Sequence, residues 1–505
     1  MSATSIVASQ ARPVRRKTGL ALWMDRVLEE CDRASVDFAT DPVHDLRVAL
    51  RRCRSLADGL KSLDPRPEWK AMKRAGKAVF QSLGELRDVQ VMEEWVGQLG
   101  EMSDPASVKM LHYLTNRQHE LKVHAATALR DFDRKQWKRW GTILPRHAQK
   151  LRPGNLVFKH LALERWTEAY ELHRRALRNG SKLALHNLRI GIKRFRYIVE
   201  NFLPEQHAAW KDDLKDMQDV LGEIHDLDVF WATALQTGAF HDAESRTRWH
   251  AKIMEERRKR IEKYRAKMLG PKSLWHLWRV ALPSGPQAEA AALRRMKLWA
   301  SFVDPDVRHS TNVARLALQL FDQLPDGRKD KSVEEKNAHT LREILEVAGI
   351  LHNVGRRKHV GKEKVKLHKP TRLIRKLNPP LGWSAADMQF VAAVVRHQRV
   401  VLPRGEQKYL TGLTAMQRRE AMRLGGILRL ASAFDVEHDG RIRRLRVLQE
   451  REVFVIEAEG YMPRDSTAQS VAAARYLLET IYRRAILVKP MRVPKPRKAP
   501  ILRAA

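Results

Sequence analysis

The feature that most constrains this chain is that it matches itself. Val43-His44-Asp45-Leu46-Arg47-Val48-Ala49-Leu50-Arg51-Arg52-Cys53-Arg54 reappears as Leu185-His186-Asn187-Leu188-Arg189-Ile190-Gly191-Ile192-Lys193-Arg194-Phe195-Arg196. A second block, Leu83-Gly84-Glu85-Leu86-Arg87-Asp88-Val89, reappears as Leu221-Gly222-Glu223-Ile224-His225-Asp226-Leu227. Both copies lie about 140 residues after the originals, in the same order. Two ordered matches at nearly one spacing indicate a tandem duplication of one structural unit. From Leu20 to about Lys267 apolar residues recur at helical spacing, and alternating strand-like runs are nearly absent. The duplicated unit is therefore helical. Breaks are expected at Asp64-Pro65-Arg66-Pro67, Asp104-Pro105, Arg152-Pro153-Gly154, Asn179-Gly180 and Pro204.

On a helix at about 100° per residue, His44, Arg47, Arg51 and Arg54 fall near 0°, 300°, 340° and 280°, one narrow stripe. Leu46, Ala49, Leu50 and Cys53 form an apolar face beside it, and Arg52 points away from both. His186, Arg189, Lys193 and Arg196 repeat the stripe, with Arg194 as the residue outside it. Like charges at these spacings repel by a few tenths of a kcal/mol per pair. Two copies of one repulsive row imply a compensating anion. Guanidinium forks suit phosphate because they bind two oxygens at once, and a bound anion favours the cationic form of histidine. The acids of the second block could serve as helix caps or as partners for the stripe arginines.

Composition agrees. Over 505 residues, 95 Lys+Arg against 59 Asp+Glu leave a net charge of +36. Such an excess favours a polyanionic partner. The two cysteines, Cys31 and Cys53, exclude a disulfide scaffold and a cysteine-built zinc site, and suit a cytoplasmic location. No run reaches the ~18 apolar residues of a membrane span. Met1 to Lys17 has no long apolar stretch and is not read as a secretory signal.

The His-x-x-Arg-x-x-x-[Arg/Lys]-Arg-x-Arg motif followed by the Leu-Gly-x-x-x-Asp block, present twice, resembles the CHAD domain over about Gly19 to Lys267. The resemblance implies an all-α domain of two pseudo-symmetric helical bundles that binds inorganic polyphosphate. On that reading His44, Arg47, Arg51, Arg54, His186, Arg189, Lys193 and Arg196 are the polyphosphate-binding residues.

The second half has a different signature. His309 opens a helix, His352-Asn353 ends another, His368 and His397 follow, and Asp435 closes the run Leu428 to Asp435. A His, a His-Asp pair and a distant Asp make the metal site of HD-type phosphohydrolases. Here the pair reads His352-Asn353, and an amide is a weaker ligand than a carboxylate. His309, His352 and Asp435 are thus candidate ligands of a weakly held divalent metal, and no catalytic residue is assigned. The segments HSTNVARLALQLFDQL, EVAGILHNVG, His368-Lys369-Pro370, AAVVRHQR and RLGGILRLASAFDVEHDGRI resemble the C-terminal HD-like domain of the exopolyphosphatase/guanosine pentaphosphate phosphohydrolase family, from about Arg294 to Ile486. The sugar-kinase-like catalytic domains of that family have no counterpart here, so its activity is not implied.

The expected fold class is mainly α: duplicated helical bundles, then a mostly helical HD-like domain with a few short strands near the C-terminus, where Val453 to Ile456 read as strand and one more helix is expected over about Thr467 to Ala485. The expected layout is a flexible basic N-terminus (1–18), a double bundle (19–280, repeats about 19–150 and 151–280), a linker (281–290), an HD-like domain (291–487) and a disordered basic tail (488–505). The expected function is binding of inorganic polyphosphate in the cytoplasm, where polyphosphate granules are a further expected association, with an accessory or regulatory second domain. The alternative is a metal-dependent phosphohydrolase acting on polyphosphate or a nucleotide. Nucleic acid is a weaker candidate partner: zinc-finger spacing, basic-zipper heptads and an aromatic RNA-binding motif are all missing, and aromatic content is 7%.

Overall fold

A computed structural model describes residues 19–101, 103–325, 340–355, 370–399 and 410–491. The expected flexible N-terminus and His368 lie outside these residues. The chain forms two compact units that part between Pro283 and Ser284.

Among its described residues the first unit has helices joined by turns and no strand. Its first repeat holds α1 (Gly19–Asp37), α2 (Thr40–Leu60), α3 (Pro67–Ala75), α4 (Lys77–Leu99), α5 (Pro105–Arg130) and α6 (Arg134–Ala148). Its second holds α7 (Leu156–Asn179), α8 (Lys182–Phe202), α9 (Pro204–Gln236), α10 (Ala243–Met268) and α11 (Leu274–Val280). Each expected break is a helix boundary. Pro67, Pro105 and Pro204 open helices, where their missing N–H costs nothing. Gly180 closes α7 in the left-handed conformation at φ 60°, and the Ser181 side chain then caps α8 by accepting from the Ala184 N–H.

The duplicated helices are also the ones that join the repeats. α2 packs on α8, and α4 on α9. The apolar face of α2 is buried as expected, through Leu46, Ala49, Leu50 and Cys53. On α8 the equivalent face buries Leu188, Ile192 and Phe195. Full burial of each large apolar side chain is worth about 1.5–3 kcal/mol. The close approach of α2 to α8 needs Gly59, since a Cβ there would overlap the Phe202 ring.

The second unit contains α12 (Gly285–Val303), α13 (Val307–Gln323), α14 (Leu341–Leu351), α15 (Pro370–Lys376), α16 (Ala385–His397), α17 (Ala415–Ala433), β1 (Leu445–Gln449), β2 (Val453–Ala458), α18 (Ser466–Ala474), α19 (Tyr476–Tyr482) and β3 (Ala485–Pro490). Capping boxes start three helices: Thr340 with Glu343, Ser384 with Asp387, and Thr414 with Gln417. β2 is the middle strand, antiparallel to β1 and parallel to β3. Helix α13 serves the outer edge of β1, because Gln319 and Gln323 accept from the Leu445 and Val447 N–H groups at 2.8 and 2.9 Å.

Two expectations change. The linker expected over 281–290 is shorter, because Pro286 sits in the first turn of α12 and the helix already runs from Gly285. The single helix expected from Thr467 to Ala485 is two short helices and a strand. Arg483 turns into the left-handed region at φ 53° and breaks the helix. β3 then carries residues 488–490, expected in the disordered tail, into the sheet, because Ile456, Glu457 and Ala458 of β2 offer them a parallel partner. Among the described residues no helix is long and apolar enough to cross a membrane.

Candidate anion-binding seam and the histidine cluster

The packing of α2 on α8 brings the two stripes together. Burial, and after it the fields of Arg189, Arg51, Arg47 and Arg54, pulls the Lys193 ammonium down to about 8. Five cations from both repeats thus share one electrostatic neighbourhood. Burial likewise lowers Arg47 and Arg54 below the usual arginine range. Arg47 and Arg54 lie over the Phe80 ring at 5.6 and 5.0 Å, and Arg54 Nη1 donates to the Lys73 carbonyl at 2.9 Å. Arg196 approaches Glu200 at 3.9 Å. His186 faces His225, ring centroids 4.7 Å apart, while His44 is exposed in the first turn of α2.

The second block explains itself in this setting. A Cβ at Gly84 would stand 3.0 Å from Arg47 Nη1, and one at Gly222 would stand 4.0 Å from Arg189 Nε. Gly84 leaves room for the Arg47 guanidinium to lie against α4, whereas a Cβ at Gly222 would make an ordinary contact with Arg189. One turn further on, Asp88 and Asp226 share the fields of those arginines. Burial pushes Asp88 up, opposed by Arg47 and Arg189. Burial pushes Asp226 up to about 6 against Arg189, with Asp88 and Glu223 adding repulsion. These acids stand inside their helices, so the capping alternative falls. Glu223 pairs with Arg260 of α10 at 2.7 Å, away from the stripe. Arg87 pairs with Glu94 at 3.0 Å, whereas its counterpart His225 faces His186 and is held near 4 by burial, Arg189 and His186.

Arg52 corrects the helical-wheel reading. It meets Glu200 of the second repeat at 2.5 Å and lies over the Trp23 ring. The wheel of a single helix cannot show the neighbour that α8 supplies. Arg194 is exposed, outside the stripe.

In the second unit, His309 stands in the first turn of α13, below its cap Asp306. Its Nδ1 lies 2.8 Å from Asp435 Oδ2, and both side chains are buried. The other Asp435 oxygen accepts from the Gly440 N–H at 2.9 Å. Burial alone would raise Asp435, but His309 and Gly440 hold it below the ordinary carboxylate value. His352 faces His309 edge-on, centroids 5.3 Å apart, and its Nδ1 lies 2.7 Å from the Gly349 carbonyl. Asn353 donates to Asp304 at 2.9 Å, and Ser310 donates to the other Asp304 oxygen at 2.5 Å. His438, which sequence reasoning passed over, stacks on His309 at 3.7 Å and bonds Asp306 at 2.8 Å, from a strained backbone at φ 59°. His397 is buried at the end of α16 and held near 4 by burial first.

A family profile described as the CHAD domain matches residues 20–236. The first unit carries a CHAD domain. A second profile, the Ppx/GppA phosphatase domain III, matches residues 297–459. Among solved structures, the crystal structure of the CHAD domain from the plant Ricinus communis is similar at 20% identity and a TM-score of 0.37, covering 52% of this chain and 90% of that one. No curated protein matches.

Within the CHAD domain, Arg47, Arg51, Arg54, Arg189 and Lys193 converge, with Arg196 and His186 flanking and His44 at the outer end. In the Ppx/GppA-type domain, His309, His352 and Asp435 also lie together, with His309 Nδ1 on Asp435, His352 Nδ1 on the Gly349 carbonyl and the second Asp435 oxygen on the Gly440 N–H. Among the described residues no group of three or more His, Cys, Asp or Glu is placed to hold a metal ion. Three features escaped sequence reasoning: the clearance at Gly84, the Arg52–Glu200 pair, and Tyr197. Only Tyr197 had a signal, since it falls near 20° on the α8 wheel, beside the stripe.

Proposed function

We propose that the CHAD domain binds inorganic polyphosphate along the α2–α8 seam. One observation supports this most: Lys193 of one repeat, lowered to about 8, lies in the combined field of Arg47, Arg51, Arg54 and Arg189. Such a cluster is repulsive by itself, and the carboxylates beside it, Asp88 and Asp226, are fewer than its five cations. A flexible linear polyanion supplies the missing charge, and its phosphoryl oxygens match the guanidinium forks. The binding requires no metal held by the protein, and the Ppx/GppA-type domain has an accessory role without hydrolysis. The test is a competition between polyphosphate and duplex DNA at matched phosphate concentration and two salt levels. Both should weaken with salt through counterion release. The reading expects a preference for polyphosphate that persists at the higher salt. Equal loss of both would mean a diffuse basic field.

A further inference from the structure

Two buried polar atoms in the seam have no hydrogen-bond partner among the described residues, Arg47 Nη1 and Tyr197 Oη. Buried polar groups in native proteins are nearly always satisfied, so a pair of orphans points to a missing water or ligand. Both belong to one locality: Tyr197 contributes to the field at Arg47, and Lys193 Nζ lies 5.9 Å from the Tyr197 ring centre. Around the phenol stand Arg51, Arg196 and Arg52, with Glu200 as the neighbouring acid. Burial first holds the phenol above its ordinary value, so it keeps its proton and can donate.

The first repeat provides an internal control. The position equivalent to Tyr197 is Ser55, whose hydroxyl donates to the Arg52 carbonyl at 3.0 Å and accepts from Asn201 at 2.9 Å. The small polar residue is satisfied by the protein itself. The phenol has no such partner and extends the α8 stripe by one position.

We propose that Tyr197 is a ligand-binding residue of the seam: its hydroxyl donates to one oxygen of a phosphoryl group whose second oxygen accepts from Arg47 Nη1, so that the seam selects a compact oxyanion over the phosphates of a rigid duplex. This rests on the reading that the seam binds polyphosphate. A duplex backbone meets the exposed outer cations, whereas a phosphoryl group on a flexible chain can enter between α2 and α8.

The experiment uses the full chain and Tyr197→Phe, titrated with polyphosphate of defined length and with duplex DNA at one salt level. Polyphosphate affinity should fall about tenfold, the scale of one hydrogen bond to a charged group, with DNA affinity unchanged. The thermal midpoint without ligand should hold or rise, because the variant removes a partnerless hydroxyl. Tyr170→Phe, in the aromatic cluster of α7, should change neither affinity. Equal weakening for both ligands with a lower midpoint would show a structural role and overturn the proposal. So would unchanged polyphosphate binding in Tyr197→Phe when Arg47→Glu with Arg189→Glu abolishes it, and the seam reading would then survive. If the double charge reversal also binds normally, the seam reading itself falls. Should Tyr197→Phe not fold, ring-labelled tyrosine in the parent protein gives a second readout: polyphosphate should shift one buried tyrosine resonance, and no shift would overturn the proposal.

Discussion

Both clusters of this molecule set basic side chains beside carboxyl groups, and they are closed to different degrees. In the seam of the CHAD domain, cations from two helices face one another beside the carboxylates Asp88 and Asp226, and Arg47 Nη1 and Tyr197 Oη have no hydrogen-bond partner among the described residues. In the histidine cluster, His309 is matched by Asp435, His438 by Asp306, and Asn353 and Ser310 by Asp304. A site that awaits a ligand keeps charge and hydrogen-bonding capacity in reserve, at a cost to stability. A cluster that holds a fold together spends that capacity internally. Residue type alone does not separate the two cases.

The contrast is broken most directly by charge reversal in the seam. Arg47→Glu with Arg189→Glu removes two attractions and adds two repulsions at close range, so polyphosphate affinity should fall at least a hundredfold, about 3 kcal/mol. Circular dichroism should show helicity retained. Arg194→Glu, exposed outside the stripe, is the control; Arg52→Glu is not, because Arg52 pairs with Glu200. Unchanged binding in the folded double variant would erase the distinction between the clusters.

Asp435→Ala tests the other side. It strips His309 of its buried partner and should cost about 2 kcal/mol of the stability of the second unit, read from urea unfolding. Polyphosphate affinity should not change. A stable variant with altered ligand or metal binding would mean that the histidine cluster is a site after all.

A finer test is the pH profile of polyphosphate binding. In the unliganded fold Lys193 titrates near 8, below its ordinary 10.5. Its charge is present below that pH and lost above it, while a bound anion favours the charged form. Affinity should therefore decline several-fold as pH rises through 8, and Lys193→Arg should flatten that limb. Asp226, raised to about 6, acts at the other end. Its ionisation above pH 6 places a negative charge beside Arg189, so affinity should increase as pH falls through 6. Asp226→Asn should remove this second limb. A profile flat through both windows would mean that neither group senses the ligand.

Much of this architecture was legible before any coordinates. The duplication, the helical class, the helix breaks and the basic stripe follow from local spacing, because a helix places residues three and four apart on one face whatever surrounds it. The β2 strand was legible for the same reason, from Val453 to Ile456. β3 was not, since residues 485–490 become a strand only where β2 offers a parallel edge. The three histidine-cluster residues were found in sequence by their order, but their order does not tell whether their nitrogen and oxygen atoms face a metal or one another.

The sequence by itself determined that two basic stripes exist and which residues compose them, because periodicity is a property of a single helix. Only the tertiary structure decided that α2 packs on α8, so that the stripes merge into one seam, that Gly84 makes room for Arg47, and that Arg52 is diverted to Glu200. These outcomes depend on which helices become neighbours. The choice of neighbours is settled by the packing of apolar faces such as Leu46, Leu50 and Phe195, and the polar groups are carried into contact with whatever that packing brings alongside.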